Sequence, residues 1–169
     1  MAVRAATTRA RLRLAKERFR VIPAAYVYLR RGDSVLLQLR QNTGFMDGTC
    51  AAAAAGHIEF GETASAAATR EAREELGIEL QTRDLRPLTA MQRTDGTTAP
   101  IEQRVDWFFE AKAWEGEPRI MEDEKCAAIE WWSMRELPNE MPPRERFVLE
   151  RLAAGGIELF SSYGFGANE

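Results

Sequence analysis

The segment Gly56–Ile78, GHIEFGETASAAATREAREELGI, constrains this chain more than any other. From Thr63 to Leu76 it is built of Ala, Glu, Arg and Leu without Gly or Pro, which predicts a helix. Thr63 can cap its N-terminus, and Gly77 can end it in the left-handed conformation. At 100° per residue, Glu71, Glu74 and Glu75 fall within an arc of about 100° on one face. Ala68, Ala72 and Leu76 form the neighbouring apolar stripe, and Arg70 lies just beyond Glu74. Carboxylates at i,i+4 repel by a few tenths of a kcal/mol, and no Lys at i+4 offsets them. A bound divalent cation would turn this repulsion into coordination; a solvated acidic face is the plain alternative. Gly56 and Gly61 flank the extended His57–Phe60 and lead into the helix, so backbone oxygen can reach such a cation. Glu59 and Glu62 add acid to the approach.

Composition narrows the choice. The 169 residues hold one histidine and two cysteines. That excludes a Cys/His zinc site and an iron–sulfur cluster. A metal here must be held mostly by carboxylates, which points to Mg²⁺, with Mn²⁺ as the alternative. A Ser–His or Cys–His pair would have to use His57. Cys50 and Cys126 have no framework spacing, so a reducing compartment is expected. Residues 1–20 carry seven basic side chains against Glu17 alone, a charge of +6, which leaves −9 for the rest of a chain whose net charge is −3. An acidic body argues against a nucleic-acid partner. No run of about 18 apolar residues occurs, so no membrane partner is expected and the location is read as cytoplasmic. The Arg-rich start also has the look of a mitochondrial presequence, the alternative to a plain extension. The length fits one domain, placed at 19–169 behind a basic extension, 1–18.

The remaining segments alternate in type. Val21–Leu29 and Val35–Arg40 read as strands joined by a turn at Arg31–Ser34, an Arg-Gly-Asp in a hairpin setting. Asn42–Thr49 is dense in turn residues and reads as a loop, either phosphate-contacting or plain surface. Ala51–Ala55 is a row of five alanines, an odd strand since alanine is a poor strand former. Ile78–Leu80 and Leu85–Met91 read as short strands, and Val105–Ala111 alternates Val105, Trp107, Phe109 and Ala111 on one face. Trp114–Lys125 reads as a charged loop and Cys126–Trp132 as a strand. Ser133–Glu136 is a capping box expected to open a short helix, and Pro142–Ala154 a second helix ended by Gly155-Gly156. Interspersed strands and helices predict an α+β fold, a mixed-sheet sandwich with helices on the sheet.

Gly56, five residues, Glu62, seven residues, then Arg70-Glu71-Ala72-Arg73-Glu74-Glu75-Leu76-Gly77-Ile78 resembles the Nudix box, G-x5-E-x7-R-E-U-x-E-E-x-G-U with U apolar. Ala72 is small for its apolar slot; every fixed position matches. The resemblance implies a Nudix-type α/β/α sandwich with a central mixed β-sheet over about residues 20–155. It also implies hydrolysis of a nucleoside diphosphate linked to a group X. Glu71, Glu74 and Glu75 fall on the metal-ligand positions, and the carbonyl of Ala55 or Gly56 on the loop ligand. Arg70 falls on the arginine that holds the box glutamates, and Glu62 on the acid that supports loop and helix. His57, after the glycine, is the lesser candidate for a base. The family's late loop corresponds to Met121–Cys126, where Glu124 is the first candidate and Glu122 the second.

A looser likeness concerns X. The pattern E-P-x-x-x-E-x-x-K-C at Glu117–Cys126 resembles the subgroup that converts nucleoside triphosphates, including oxidised ones, to monophosphate and pyrophosphate. Met141–Glu145 falls where that subgroup shapes its base pocket. Candidate substrate-binding residues are Arg40, Arg93, Arg104 and Glu145, with a plain surface role as the alternative for Arg93 and Arg104. Trp107, Phe108, Trp131 and Trp132 are divided between core and stacking roles. Many members carry an aromatic residue and a proline just before the glycines, where this chain has Cys50 and alanines, a departure that widens the expected pocket. ADP-ribose or another nucleotide sugar, an isoprenoid diphosphate, and nucleotide binding without turnover are the competing readings. Many relatives dimerise, so a homodimer stays open.

Overall fold

The computed structural model describes residues 18–166. The strands are β1 (Ile22–Arg31), β2 (Ser34–Arg40), β3 (Cys50–Ala52), β4 (Ala54–His57), β5 (Leu85–Arg93), β6 (Arg104–Ala111), β7 (Cys126–Ser133) and β8 (Phe160–Tyr163). The helices are α1 (Ala64–Leu76) and α2 (Pro143–Ala153). The extension ahead of residue 18, with its presequence alternative, lies outside the described residues. Among the described residues no helix is long and apolar enough to cross a membrane.

β1 is the central strand and is buried on both faces from Ala24 to Leu29. Because strand side chains alternate, Ala25, Val27 and Leu29 meet Ala67, Ala68, Ala72 and Leu76 of α1 on one side. Ala24, Tyr26 and Tyr28 meet Val148 and Leu149 of α2 on the other. β1 runs parallel to β6 from Ile22↔Arg104 to Leu29↔Ala111 and antiparallel to β4. β5 lies antiparallel to β6 and parallel to β8. β2 turns away through a hairpin paired only at Arg30↔Val35 and Arg31↔Ser34, then carries β3 and β7 on its two edges. The result is a mixed sheet held between two helices, the α/β/α sandwich expected from the sequence.

The row of alanines has a packing reason. Ala53 and Ala54 face α1 across from its own buried alanines, while Ala52 belongs to the core under α2. Small side chains on both partners let helix and sheet approach closely, and a larger residue would force them apart. The row is not one strand: it bends at Ala53 and divides into β3 and β4.

Two further expectations change, and one strand, β8, has no counterpart in the sequence reading. Ser133–Glu136 forms a turn, closed by Glu136 N–H donating to the Ser133 carbonyl at 3.0 Å, rather than a helix. Pro138 stops helical propagation, since it lacks a donor and restricts the residue before it. Ile78–Leu80 makes only one bridge, Glu79↔Glu115, instead of a strand. β8 lies in a Gly-rich tail without alternation and owes its form to pairing with β5.

Candidate active site

α1 begins and ends as its sequence dictates. Thr63 Oγ1 accepts from the Ala66 amide at 3.1 Å, and Gly77, at φ 65°, donates to the Arg73 carbonyl at 3.0 Å. Arg70 then ties the helix to the loop before it. Its Nε and Nη2 donate to the two oxygens of Glu62 at 2.9 and 3.1 Å. Nη1 donates to Glu71 at 2.7 Å and Glu74 at 3.0 Å, and Nη2 also reaches the His57 carbonyl at 3.0 Å. Glu62 in turn accepts from the Glu59 amide at 3.0 Å. The Arg70 bonds hold the Glu62 carboxyl below its usual range.

Glu75 leans toward β4, where its Oε2 accepts from the Ala55 amide at 2.8 Å. Burial pushes its carboxyl up to about 8, Glu71 and Glu122 add repulsion, and the Ala55 amide opposes both. Burial also raises Glu71, against the pull of Arg70. Gly56 makes this approach possible: a Cβ there would stand 1.9 Å from Glu71 Oε1. The two carboxylates thus rest against the backbone of Ala55 and Gly56.

This donor set fits a hard divalent cation. It offers oxygen only, its two half-buried members hold protons more tightly than an ordinary glutamate, and Glu122 is near enough to repel both. Among the described residues no three His, Cys, Asp or Glu side chains are already gathered as a cage, because Arg70 Nη1 draws Glu71 and Glu74 onto itself.

The same stretch of β4 forms one wall of a cavity of about 340 Å³. Ala51, Ala52, Ala55 and Gly56 give it a flat, small-residue side, and Tyr26 and Phe45 add aromatic surface. Its cations are Arg40, Arg93, Arg104 and Arg144. Asp106, fully buried, gathers three of them: it accepts from Arg93 Nε and from Arg104 Nε at 3.4 Å, and Arg144 Nε lies 3.8 Å away. Arg93 also faces Glu102 at 3.5 Å. Arg104 Nη1 lies 3.2 Å from His57 Nε2. Burial and the Arg104 charge lower the His57 pKa, with Asp106 opposing, so neutral His57 accepts there. Glu145 Oε2 accepts from the Ala52 amide at 2.6 Å, and burial raises its carboxyl against the pull of Arg144. Two roomier hollows, about 440 Å³ beside Arg86 and about 650 Å³ beside β8, share no lining residue with this cavity.

The structure brings Arg40, Arg93, Arg104, Glu145 and Gly56 together in the cavity; Glu71 and Glu75 lie against Gly56 and Ala55 of its wall, and Arg70 ties Glu74 to Glu71. Arg93 and Arg104 are buried, not surface side chains. Glu124 stands apart: its side chain is exposed, and its carbonyl accepts from Asn42 at 3.1 Å. The late-loop acid whose charge reaches Glu71 and Glu75 is Glu122. The reason is the anchoring of the loop. Arg119 and Met121 amides donate to the Leu76 and Glu75 carbonyls at 3.0 and 3.1 Å, which sets residue 122 beside the helix end. The turn closed by Cys126 N–H on the Glu122 carbonyl then carries residue 124 away. Of the four aromatic candidates, Phe108 is core, stacked on Tyr26 at 4.6 Å, and none lines the cavity. Tyr26 and Phe45 of the cavity, and Asp106 behind its arginines, are residues that the sequence does not single out, whereas Arg144 lies in the Met141–Glu145 stretch assigned to the base pocket. Asp106 carries a usable signal, an acid between Arg104 and Glu110 at alternate positions of a strand whose opposite face is apolar.

Comparison with known proteins agrees with this geometry. The NUDIX domain family model matches residues 20–152. A MutT NUDIX hydrolase from Burkholderia pseudomallei superposes with a TM-score of 0.69 at 26% identity, over 78% of this chain and 97% of that one. The mutator MutT protein of Bacillus halodurans shares the fold at TM-score 0.66 and 21% identity, over 85% and 90% of the two chains. A bifunctional NMN adenylyltransferase/ADP ribose pyrophosphatase from Francisella tularensis does so at 0.65 and 17%, over 90% of this chain and 46% of that one. Nudix enzymes use divalent metal ions and act on small nucleotide substrates, which is the chemistry the carboxylate rim and basic cavity provide for. With the family model spanning most of the chain, the protein belongs to the Nudix pyrophosphohydrolases.

Proposed function

We propose that this enzyme is a Mg²⁺-dependent hydrolase of nucleoside triphosphates, oxidised ones included, releasing monophosphate and pyrophosphate. The observation that carries the reading is the shared wall: the β4 backbone at Ala55–Gly56 supports Glu71 and Glu75 on one side and lines the arginine cavity on the other. A base and sugar seated in the cavity would present their phosphates to the carboxylate rim.

Glu71, Glu74 and Glu75 would hold the metal, with Mn²⁺ as a substitute. The metal would neutralise phosphate charge and lower the pKa of a bound water. Arg70 keeps the glutamates aimed by bonding Glu62, Glu71 and Glu74 at once. Glu122, bonded to Lys125 at 2.9 Å and near enough to act on Glu71 and Glu75, would receive the proton of the attacking water in place of the exposed Glu124. Arg104 and Arg93 offer charge to the substrate from a position fixed by Asp106. An isoprenoid diphosphate fits this cavity poorly, because four arginines line it. A nucleotide sugar such as ADP-ribose is the alternative X.

A panel of nucleoside triphosphates, oxidised deoxynucleotides, ADP-ribose and nucleotide sugars, read by product release with Mg²⁺, tests the proposal. Turnover of triphosphates to monophosphate and pyrophosphate is expected. Turnover of sugars alone overturns it.

A further inference from the structure

We infer that Phe45 is the surface on which the substrate's base stacks, and that Arg40 serves by holding Phe45 in place. The inference rests on the nucleotide reading above and names a residue for it.

Among the residues that line the cavity, Phe45 and Ile101 are the large apolar side chains left exposed, at 45% and 54%. They come from two separate loops, 41–49 and 94–103. The fold does not need Phe45 as core. Its loop is set by polar bonds: Asp47 accepts from the Thr43 and Gly44 amides, both at 3.0 Å, and from the Thr43 hydroxyl at 2.5 Å. Asn42 and Met46 are held at φ 52°, a conformation non-glycine residues adopt only under constraint. A rigid polar loop therefore presents one aromatic ring to a cavity mouth.

Inside the mouth, the Arg144 guanidinium lies 5.7 Å from the Phe45 ring centre and 5.9 Å from that of Tyr26. The Arg144 guanidinium thus lies near both rings, and a planar heterocycle is the ligand that these flat groups suit. The flat wall of Ala51, Ala52 and Ala55 leaves room for the ring to enter.

Arg40 is committed to this loop. Its Nε donates to the Phe45 carbonyl at 3.2 Å and its Nη2 to Thr43 Oγ1 at 3.0 Å. It is a positioning residue acting through Phe45, rather than a free cation for phosphate.

The test is steady-state kinetics of Phe45→Ala, Phe45→Trp and Arg40→Lys with the best triphosphate of the panel, plus inhibition by each product. Base–aromatic stacking lost on truncation corresponds to roughly a 5- to 100-fold change. Phe45→Ala should raise KM and the monophosphate inhibition constant by that factor. Inhibition by pyrophosphate, which has no base, should stay within twofold. Phe45→Trp should restore both constants, and Arg40→Lys should show the Phe45→Ala pattern in weaker form. An unchanged KM in Phe45→Ala, or equal weakening of monophosphate and pyrophosphate, overturns the inference while leaving the triphosphate reading intact. A wild-type enzyme that ignores nucleotides refutes the triphosphate reading itself.

Discussion

Replacing Glu75 by Gln should make the metal-free protein more stable and the enzyme inactive. The amide oxygen can still accept from the Ala55 N–H, so the packing of α1 on β4 is kept. What disappears is a half-buried charge beside Glu71 and Glu122. Burial and those neighbours lift the Glu75 carboxyl from the ordinary 4.5 to about 8. At about 1.4 kcal/mol per pH unit this has a ceiling near ~5 kcal/mol. Part of the side chain still meets solvent, which screens the penalty to about 1–2 kcal/mol. The sign follows from linkage. A carboxyl whose folded pKa lies above its unfolded one favours the folded state while protonated, below about pH 4.5. That contribution is lost as pH rises toward 8.

In EDTA at pH 8.5, the Glu75→Gln protein should melt roughly 2–8 °C above wild type, the shift that ~1–2 kcal/mol gives a chain of this size. At pH 4.5 the difference should close. Mg²⁺ should reverse the order: at a hundred times its Kd it adds about 2.7 kcal/mol to wild type. The variant, with a ligand lost, should gain much less and show no turnover. Melting curves at the two pH values, with and without Mg²⁺, read all of this. A variant no more stable than wild type at pH 8.5 in EDTA, or one stabilised equally by Mg²⁺, refutes the reasoning.

Gly56→Ala places a methyl against Glu71 Oε1, so apparent Mg²⁺ affinity in a kinetic titration should fall about 10- to 100-fold; an unaltered Mg²⁺ dependence contradicts the close contact. Arg70→Lys cannot fork onto Glu62 while reaching Glu71 and Glu74, and should cost about 1–3 kcal/mol in denaturant unfolding as well as activity. Glu145→Ala leaves the buried Ala52 N–H without its acceptor, again about 1–3 kcal/mol, whereas Glu145→Gln should recover most of the stability. Glu122→Gln should lower kcat well below Glu124→Gln, which should stay near wild type; the reverse order would remove Glu122 from the reaction.

The helix and its loop were legible from sequence because their determinants are local. Thr63, Gly77 and the glutamate spacing act within a few turns, and Gly56 lies one loop away. The cavity was half legible. Arg93, Arg104 and Glu145 could be named, but what gathers them could not, since Asp106 meets its three arginines through pairings between β5, β6 and α2 that no local pattern encodes. Alternation on β6 was read as one buried face. The other face, Arg104, Asp106, Phe108 and Glu110, is buried too, because charged residues there neutralise one another under α2 or across the sheet. Glu124 outranked Glu122 for the same reason: spacing along a loop says nothing of where its backbone is pinned.

The cavity's charge bears on the cation that the proposed function calls for. Of its four arginines, Arg93 and Arg104 share Asp106, Arg144 lies between Asp106 and Glu145 at 3.7–3.8 Å, and Arg40 bonds its own loop. Little of that positive charge is free. The surface beyond it carries Glu62, Glu71, Glu74, Glu75 and Glu122, against Arg70, which bonds three of them, and Lys125, which bonds Glu122 at 2.9 Å. On the triphosphate reading, a substrate entering this site alone would meet more carboxylate than cation at the end it must present for cleavage. On the function proposed above, the chain's own residues hold and orient the nucleoside half, and divalent charge on the carboxylates admits the phosphate half. Nucleotide binding should therefore strengthen steeply with Mg²⁺, whereas binding of an uncharged nucleoside should not respond to it.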